Sequence, residues 1–168
     1  HYFDKMPTLE TERLWLRPFQ DKDIHDLYEY ASDPEVTKYV PFETYQKPED
    51  AEEYLSFLKG QYERGERSSW AIELKKEEKV IGAIDFVEMD SINQNGMVGY
   101  ILNRHYWRQG IISEALKKVL EVGFQELGLH RIEARCIKDN IGSSKVMEKC
   151  GFHYEGCFRD KNFKDSKY

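Results

Sequence analysis

A glycine directly before a predicted helix is the feature of this sequence best suited to binding an anion. Apolar residues at positions 115/116, 119/120, 123/124 and 127 recur every three to four residues, so they predict an amphipathic helix from about Ile111 to Leu127. The first turn of a helix has backbone N–H groups without partners in the helix and carries a partial positive charge. Gly110 would let a phosphate approach these groups closely. The expected chemistry of this stretch is therefore phosphate binding.

The residues around Gly110 also match a motif known from one enzyme superfamily. The segment 106–116 resembles the acetyl-CoA diphosphate-binding motif of the GNAT superfamily of N-acetyltransferases, in the branch that contains the ribosomal-protein N-terminal (alanine/serine) acetyltransferases. The residues that carry the match are Trp107, Gly110, Ser113, Glu114 and Ala115. The sequence departs from the motif at two positions: Arg108 stands where glycine is common, and Ile112 stands where alanine or glycine is common.

Two further segments resemble the same branch, in the order in which the branch has them. Residues 11–18, which read Thr-Glu-Arg-Leu-Trp-Leu-Arg-Pro, match its opening signature. The third motif, asparagine-x-x-serine and then glutamate-lysine-x-glycine-phenylalanine, is matched by Asn140, Ser143, Glu148, Lys149, Gly151 and Phe152. The resemblance thus covers the chain from about Leu9 to Tyr168.

The resemblance implies a fold. We expect one GNAT domain over residues 1–168 with an α/β (α+β) architecture, in which helices flank a mixed, mostly antiparallel central sheet that is splayed at the acetyl-CoA site. The family has one more strand at the point where this sequence ends, so we expect that last strand to be missing from it. By the same resemblance, the segment 36–45 helps to form the pocket for the acceptor amine.

The resemblance also implies which residues bind acetyl-CoA. The loop at the start of the helix would hold the diphosphate through Arg108, Gln109, Gly110, Ile111, Ile112 and Ser113. The strand before it would present its backbone to the pantetheine arm, with Ile101 and Leu102 nearest and an N–H near Ile101 as oxyanion donor. Asn140 would bond the pantetheine amide. Lys145 would either meet a phosphate of the cofactor or remain a solvated lysine.

The catalytic groups are less clearly marked. Many members of the superfamily place a tyrosine near the leaving sulfur, where this chain offers Ser143 and Ser144. Ser143 either donates a proton to the leaving thiolate or caps the helix that follows it, and one hydroxyl can do both. Candidates for the general base, which a water chain could replace, are Asp85, Glu88, His105 and Glu155. We take Ser143 and Glu88 as the catalytic candidates, and we expect Glu114 to be structural because its charge complements the helix dipole.

The expected acceptor is a primary amine, most simply the N-terminal α-amine of a protein or peptide. At pH 7, deprotonation costs about 1 kcal/mol for an α-amino group and about 4.6 kcal/mol for a lysine side chain. A chain without an evident dedicated base therefore suits the α-amine. A small amine, such as a polyamine or an aminoglycoside-like antibiotic, is the alternative acceptor, which acidic residues lining the region 42–53 would favour. A noncatalytic acyl-CoA-binding regulatory module is the alternative from another functional class.

The sequence also predicts the strands and helices that carry these candidate residues. Alternation predicts a strand over residues 13–18, and Asp21 or Asp23 is expected to cap the helix after it. Pro48 begins a longer helix that Gly65 ends. Two antiparallel hairpins are expected next, from strands over residues 69–75, 79–89 and 98–102, and another strand over residues 131–137. Gly99, inside a strand, indicates a bulge or a close backbone approach.

Composition restricts the class of protein. A length of 168 residues suits one domain, and the formal net charge of −6 argues against nonspecific binding of nucleic acid. No run of residues is apolar enough to predict a membrane span. Cys136, Cys150 and Cys157 lack the spacing of a zinc site, so we expect reduced thiols and no metal. The expected protein is a cytoplasmic enzyme, either a monomer or a homodimer.

Overall fold

The computed structural model of the chain describes residues 2–38 and 40–134. Its strands are β1 (Leu9–Glu10), β2 (Leu14–Pro18), β3 (Trp70–Leu74), β4 (Lys79–Asp90), β5 (Asn95–Leu102) and β6 (Arg131–Ala134). Its α-helices are α1 (Ile24–Ala31), α2 (Pro34–Thr37), α3 (Pro48–Glu63) and α4 (Ile111–Gln125). Short 3-10 turns cover residues 2–4, 21–23 and 104–106. In this part of the chain, none of the helices is long and apolar enough to cross a bilayer.

The described strands form one sheet in the order β1-β2-β3-β4-β5-β6. Neighbouring strands are antiparallel except β5 and β6, which are parallel. Both predicted hairpins are present, and the predicted mixed, mostly antiparallel sheet with flanking helices is confirmed. The last described pair between β5 and β6 is Val98 with Ala134, and β5 continues beyond it to Leu102.

Two apolar cores cover the two faces of the sheet, because side chains along a strand alternate between the faces. On one face, β3 and β4 present large residues such as Trp70, Ile72 and Ile84 to the buried stripe of α4. On the other face the same strands present the smaller Ala71 and Ala83 to α1 and α3. The sheet therefore separates the helix with the predicted phosphate loop from the helices on the predicted acceptor side.

A β-bulge in β4 lies between Phe86 and Glu88, where the register with β5 shifts. Gly99 faces this region from β5, and a Cβ built on it would lie 2.8 Å from Val87 Cγ1. The expected bulge or close approach at Gly99 is thus a close approach to the bulged partner strand. Beyond Ile84, β4 has no β3 partner in the described register. There the Arg67 side chain donates to the carbonyl oxygens of Phe86 (2.7 Å) and Val87 (3.3 Å).

Two local predictions differ from the structure. The helix α4 ends at Gln125 rather than at Leu127, and Gly128 follows it with a φ of 66°. Asp23 occupies the N-cap position of α1, but its side chain does not cap that helix. Its two carboxylate oxygens instead accept from Nη1 and Nη2 of Arg17, each over 2.8 Å. Both side chains are buried, so this ion pair ties β2 to α1 inside the protein.

Candidate functional site

The end of β5 leads directly into the predicted phosphate loop. After Leu102 the chain passes through the 3-10 turn at residues 104–106 and enters α4 at Ile111. Trp107 Nε1 donates to the carbonyl oxygen of Leu102 over 2.8 Å, and Tyr106 Oη donates to Glu77 over 2.6 Å. These contacts hold the loop beside the last residue of the strand.

Two residues of the loop adopt left-handed backbone conformations. Gly110, the N-cap of α4, has a φ of 76°, and Arg108 has a φ of 61°. A residue with a side chain is disfavoured in this region by roughly 1–2 kcal/mol, whereas glycine is not. This explains why the resembling motif commonly has glycine at position 108, and it shows that this loop keeps the shape even with an arginine there.

The first turn of α4 points its backbone N–H groups out of the helix end. The Glu114 N–H is bonded to the carbonyl oxygen of Gly110 over 3.1 Å, so the amides before it belong to the turn that has no helical acceptor. The side chains of Ile111, Ile112 and Ser113 are buried. The apolar bulk of Ile112 therefore packs into the core rather than in front of the helix, and these three residues can meet a phosphate only through their backbone.

Glu114 is held by the opening motif of the chain, as expected of a structural residue. Its carboxylate accepts from Thr11 Oγ1 (2.5 Å), from the Arg13 backbone N–H (2.8 Å) and from Arg13 Nε (2.7 Å). Burial alone would raise the pKa of Glu114, but the hydrogen bonds from Thr11 and Arg13 outweigh it and hold that pKa below its ordinary value. The first and second motifs are thus joined by one carboxylate.

The register of β4 and β5 decides which backbone groups of β5 point away from β4. The Asn103 N–H donates to the Ile81 carbonyl over 2.7 Å, and the same register continues through Ile101. In an antiparallel ladder, pairs that exchange hydrogen bonds alternate with pairs whose backbone groups point outwards. The backbone groups of Ile101 are therefore directed at β4. Those of Tyr100 and Leu102 are directed at the β6 side, and the Leu102 carbonyl is the one that Trp107 contacts.

Two of the four candidate bases lie on β4, on either side of the bulge. Asp85 is half-buried and pairs with Gly99, the first β5 residue beyond the last described β5–β6 pair. Glu88 is exposed and pairs with Met97, within the part of β5 that is still paired with β6. Asp85 thus lies nearer to the end of β5 than Glu88 does. Of the other two candidates, His105 is exposed in the 3-10 turn, and Glu155 lies outside the described residues.

Tyrosines line the predicted acceptor side of the sheet next to Asp85. Burial, and after it the charge of Asp85, raises the pKa of Tyr54 on α3 well above its ordinary value. Burial and the charge of Asp50 raise the pKa of Tyr45 to about 12. Tyr30 on α1 is fully buried, and its hydroxyl has no hydrogen-bond partner among the described residues. This side of the sheet is thus aromatic and carries a carboxylate at its floor.

Several predicted residues lie outside the described part of the chain, namely Asn140, Ser143, Ser144, Lys145 and the three cysteines. Their predicted roles stay predictions. Conversely, two residues at the site were not predicted from the sequence: Arg13, which contacts the loop, and Asn103, which directly follows β5. An acid in the first turn of an anion-binding helix needs a cationic partner, and that need could have pointed to the arginine of the opening motif.

Several known proteins that are similar to this chain are named N-acetyltransferases. The family model of the acetyltransferase (GNAT) domain matches residues 13–153. An uncharacterized N-acetyltransferase of Bacillus licheniformis, p20, is 36% identical over 155 residues, which cover 92% of this chain and 87% of that protein. The ribosomal-protein-serine acetyltransferase of Escherichia coli is 34% identical over 93 residues, which cover 55% of this chain and 52% of that protein.

A solved structure agrees with the fold as well. The crystal structure of a GNAT-family acetyltransferase from Bacillus anthracis superimposes with a TM-score of 0.75 at 34% identity, and the match covers 89% of this chain and 86% of that one. The loop at Gly110, the strand that leads into it and the helix that follows are therefore elements of a known enzyme fold. This chain belongs to the GNAT family and is an acetyl-CoA-dependent N-acetyltransferase.

Proposed function

We propose that this enzyme transfers the acetyl group of acetyl-CoA to the α-amine of a protein or peptide N-terminus, by direct attack in a ternary complex. The assignment of the acetyl-CoA site is supported by the loop at the start of α4. There Arg108 and Gly110, both with left-handed backbone conformations, precede a first turn whose amides point outwards. A diphosphate fits such a set of donors and cations. Acetyl-CoA supplies an activated thioester at this site.

The residues of the chain would divide the binding of acetyl-CoA between them. The backbone from Gln109 to Ser113 and the Arg108 guanidinium would contact the diphosphate. The outward-directed amides of Tyr100 and Leu102 would contact the pantetheine arm, beside the side chain of Ile101. Asn140 would bond the pantetheine amide, and Lys145 would meet a phosphate.

The proton transfers would involve the acceptor face of the sheet and the third motif. The amine must be neutral when it attacks, and a carboxylate on β4 can accept its proton directly or through water. Glu88 is the candidate from the sequence, and Asp85 is better placed because it pairs with Gly99, nearer to the end of β5 that leads into the loop. Ser143 would donate to the leaving thiolate.

The α-amine is favoured because it places the smaller demand on a base. Its deprotonation at pH 7 costs about 1 kcal/mol, compared with about 4.6 kcal/mol for a lysine side chain. The E. coli relative is named for a ribosomal-protein serine, which agrees with an N-terminal acceptor. A small polyamine is the second candidate, favoured by the exposed acids Glu43, Glu49, Glu52 and Glu53 on the acceptor side.

One experiment separates these acceptors. Purified enzyme and acetyl-CoA are incubated with a peptide whose only amine is its N-terminus, an N-blocked peptide with one lysine, spermidine and an aminoglycoside, and both CoA release and product mass are measured. We expect turnover with the first peptide to exceed the others by at least about tenfold. Faster turnover of spermidine or the aminoglycoside would show that the preferred acceptor is a small amine and not an N-terminal α-amine. Binding of CoA without turnover of any amine would point to a regulatory module.

A matched variant tests the cofactor site itself. In Gly110→Val the backbone of the valine must adopt a positive φ, which a β-branched residue strongly disfavours. The branched side chain would also stand at the point where the phosphate approaches. We expect calorimetric binding of CoA to be lost. Gly128→Val serves as control, because Gly128 has a similar φ of 66° beyond the other end of α4. A Cβ there would meet no atom of the described residues within 4 Å, apart from its chain neighbours. Equal CoA affinity in the two variants would contradict the assignment.

A further inference from the structure

We propose that Arg13, at the start of β2, is an additional residue of the acetyl-CoA site and that its guanidinium binds the diphosphate together with the loop. The inference rests on the proposed function of that loop. Arg13 is distant from the loop in sequence, and the fold brings the two together. The proposal rests on the different partners of the three guanidinium nitrogens.

Two of the three guanidinium nitrogens hold the loop and the helix. Nε donates to Glu114 Oε1 over 2.7 Å, and Nη1 donates to the Gln109 carbonyl over 2.9 Å. The second bond joins Arg13 to the residue directly before Gly110. Arg13 therefore fixes the orientation of the peptide between Gln109 and Gly110, whose N–H is one of the donors available to a phosphate.

The third nitrogen is directed at the place where a phosphate would approach. A Cβ built on Gly110 would lie 3.4 Å from Arg13 Nη2, and apart from its chain neighbours no other atom of the described residues lies within 4 Å of it. Within the described part of the chain, Nη2 makes no hydrogen bond, and the Arg13 side chain is 42% exposed. A guanidinium presents its donors in a planar fork that matches phosphate oxygens. Nη2 thus has the position and the chemistry to contact a phosphate beside Gly110.

Charge gives an independent reason for a cation here. Glu114 lies in the first turn of α4, and its carboxylate would repel a phosphate bound at the same helix end. Arg13 compensates that charge through Nε while its Nη2 remains directed at Gly110. One guanidinium therefore neutralises the acid and adds a donor of its own, which the Thr11 hydroxyl on the same carboxylate cannot do.

A purely structural Arg13 makes a different prediction. If it only anchored Glu114 and Gln109, its removal would loosen the loop, and Thr11→Val, which loosens Glu114 as well, would likewise weaken the use of acetyl-CoA relative to acetyl-pantetheine. If it binds a phosphate, only the removal of Arg13 selectively weakens the donor that carries the diphosphate. Acetyl-pantetheine has the thioester arm but no phosphate, so comparing it with acetyl-CoA in both variants separates the two roles.

The test uses Arg13→Gln with Thr11→Val as matched control, since Thr11→Val also removes a donor from Glu114 but no positive charge. Calorimetry gives the Kd for CoA, and steady-state rates give kcat/KM with acetyl-CoA and with acetyl-pantetheine. For Arg13→Gln we expect the Kd for CoA to rise by about 10- to 100-fold, the usual effect of one hydrogen bond to a charged group. We expect kcat/KM with acetyl-pantetheine to change less than about threefold. Thr11→Val should leave the ratio between the two donors unchanged.

Arg13→Lys and the double variant Arg13→Gln/Glu114→Gln complete the test. Lysine keeps the charge but cannot span both partners and a phosphate, so an intermediate Kd is expected. Removing the acid as well should recover only part of the CoA affinity. Equal losses with both donors, or full recovery in the double variant, would overturn a direct contact. Because these results are measured against a wild-type enzyme that binds CoA, failure of the loop assignment would show itself first, as absent binding in the wild type.

Discussion

Asn103 Nδ2 donates to Glu29 Oε2 over 2.6 Å, so the residue directly after β5 is bonded to α1 on the predicted acceptor side. Asn103 is 2% exposed, and its Oδ1 accepts from the His105 N–H at the start of the cofactor loop. Lys79 pairs with the same glutamate. Burial would raise the pKa of Glu29, but the bonds from Lys79 and Asn103 outweigh it and lower that pKa. One buried amide thus joins helix α1, on the predicted acceptor side, to the turn that leads into the phosphate loop.

Asn103→Ala should therefore affect both sides of the site. Removal of the amide leaves the His105 N–H and the Glu29 carboxylate without this partner, which typically costs about 1–3 kcal/mol of unfolding free energy. We expect a lower melting temperature and a raised KM for acetyl-CoA. Asn93→Ala is the control, because Asn93 also bonds a carboxylate, that of Asp90, but on an exposed turn. Similar losses in both variants would argue against a special role of Asn103.

Arg108→Gly should stabilise the protein and weaken CoA binding at the same time. Glycine removes the cost of a left-handed side-chain residue, roughly 1–2 kcal/mol, and part of this gain is offset by the greater entropy of the unfolded chain. Gln94→Gly is the matched control, since Gln94 has a φ of 57° in the β4–β5 turn, away from the loop. Both variants should unfold at a higher denaturant concentration than the wild type. Only Arg108→Gly should raise the Kd for CoA, and an unchanged Kd would remove Arg108 from the phosphate contacts.

Tyr30→Phe should leave stability unchanged or raise it by up to about 1 kcal/mol, because the deleted hydroxyl is buried without a partner in the described structure. Tyr62→Phe provides the contrast. The Tyr62 hydroxyl accepts from the Phe19 N–H (3.0 Å) and donates to the Ser69 carbonyl (2.6 Å), so its loss should cost about 1–3 kcal/mol. Chemical denaturation of the two variants measures the difference. A strongly destabilised Tyr30→Phe would reveal a partner of that hydroxyl.

The contact between Glu114 and Arg13 should give stability a defined acid dependence. The pKa of Glu114 is lower in the folded protein than its ordinary value of 4.5, so the unfolded chain binds the proton first. The contribution of Glu114 is present above pH 4.5 and is lost as the pH falls through the folded pKa. The difference in melting temperature between wild type and Glu114→Gln should shrink over that range. Glu66→Gln, which removes an exposed carboxylate paired with Arg64, should show little difference at any pH.

The regular elements could be predicted because each has a period or a terminal signal. The apolar stripe from Ala115 to Leu127 predicted α4, and Pro48 predicted the start of α3. The fold class and the family were also accessible, because the motifs at residues 11–18 and 106–116 stand in the family order. The end of α4 was less predictable, since Leu127 continues the apolar period although the helix has already ended at Gln125.

The parts that could not be predicted depend on partners from distant segments. Asp23 has the right spacing for a cap, and only the folded structure shows that Arg17 binds it. Likewise, the sequence predicts Ile101 as a cofactor contact. Which residues of β5 direct their backbone groups away from β4 depends on the register between the two strands. A pattern in one segment reports its own periodicity, whereas the direction of a backbone carbonyl is decided by the strand beside it.

Arg67 has a consequence for how molecules of this protein meet each other. Among the described residues, the part of β4 beyond Ile84 pairs with strand β5 on one side and with no strand on the other, where its carbonyl oxygens could pair with a strand of a second molecule. Arg67 occupies two of these acceptors, at Phe86 and Val87, with a charged side chain that a foreign strand would have to displace. The guanidinium therefore protects this edge of the described sheet against intermolecular β-pairing, and it does so where the bulge already bends the strand.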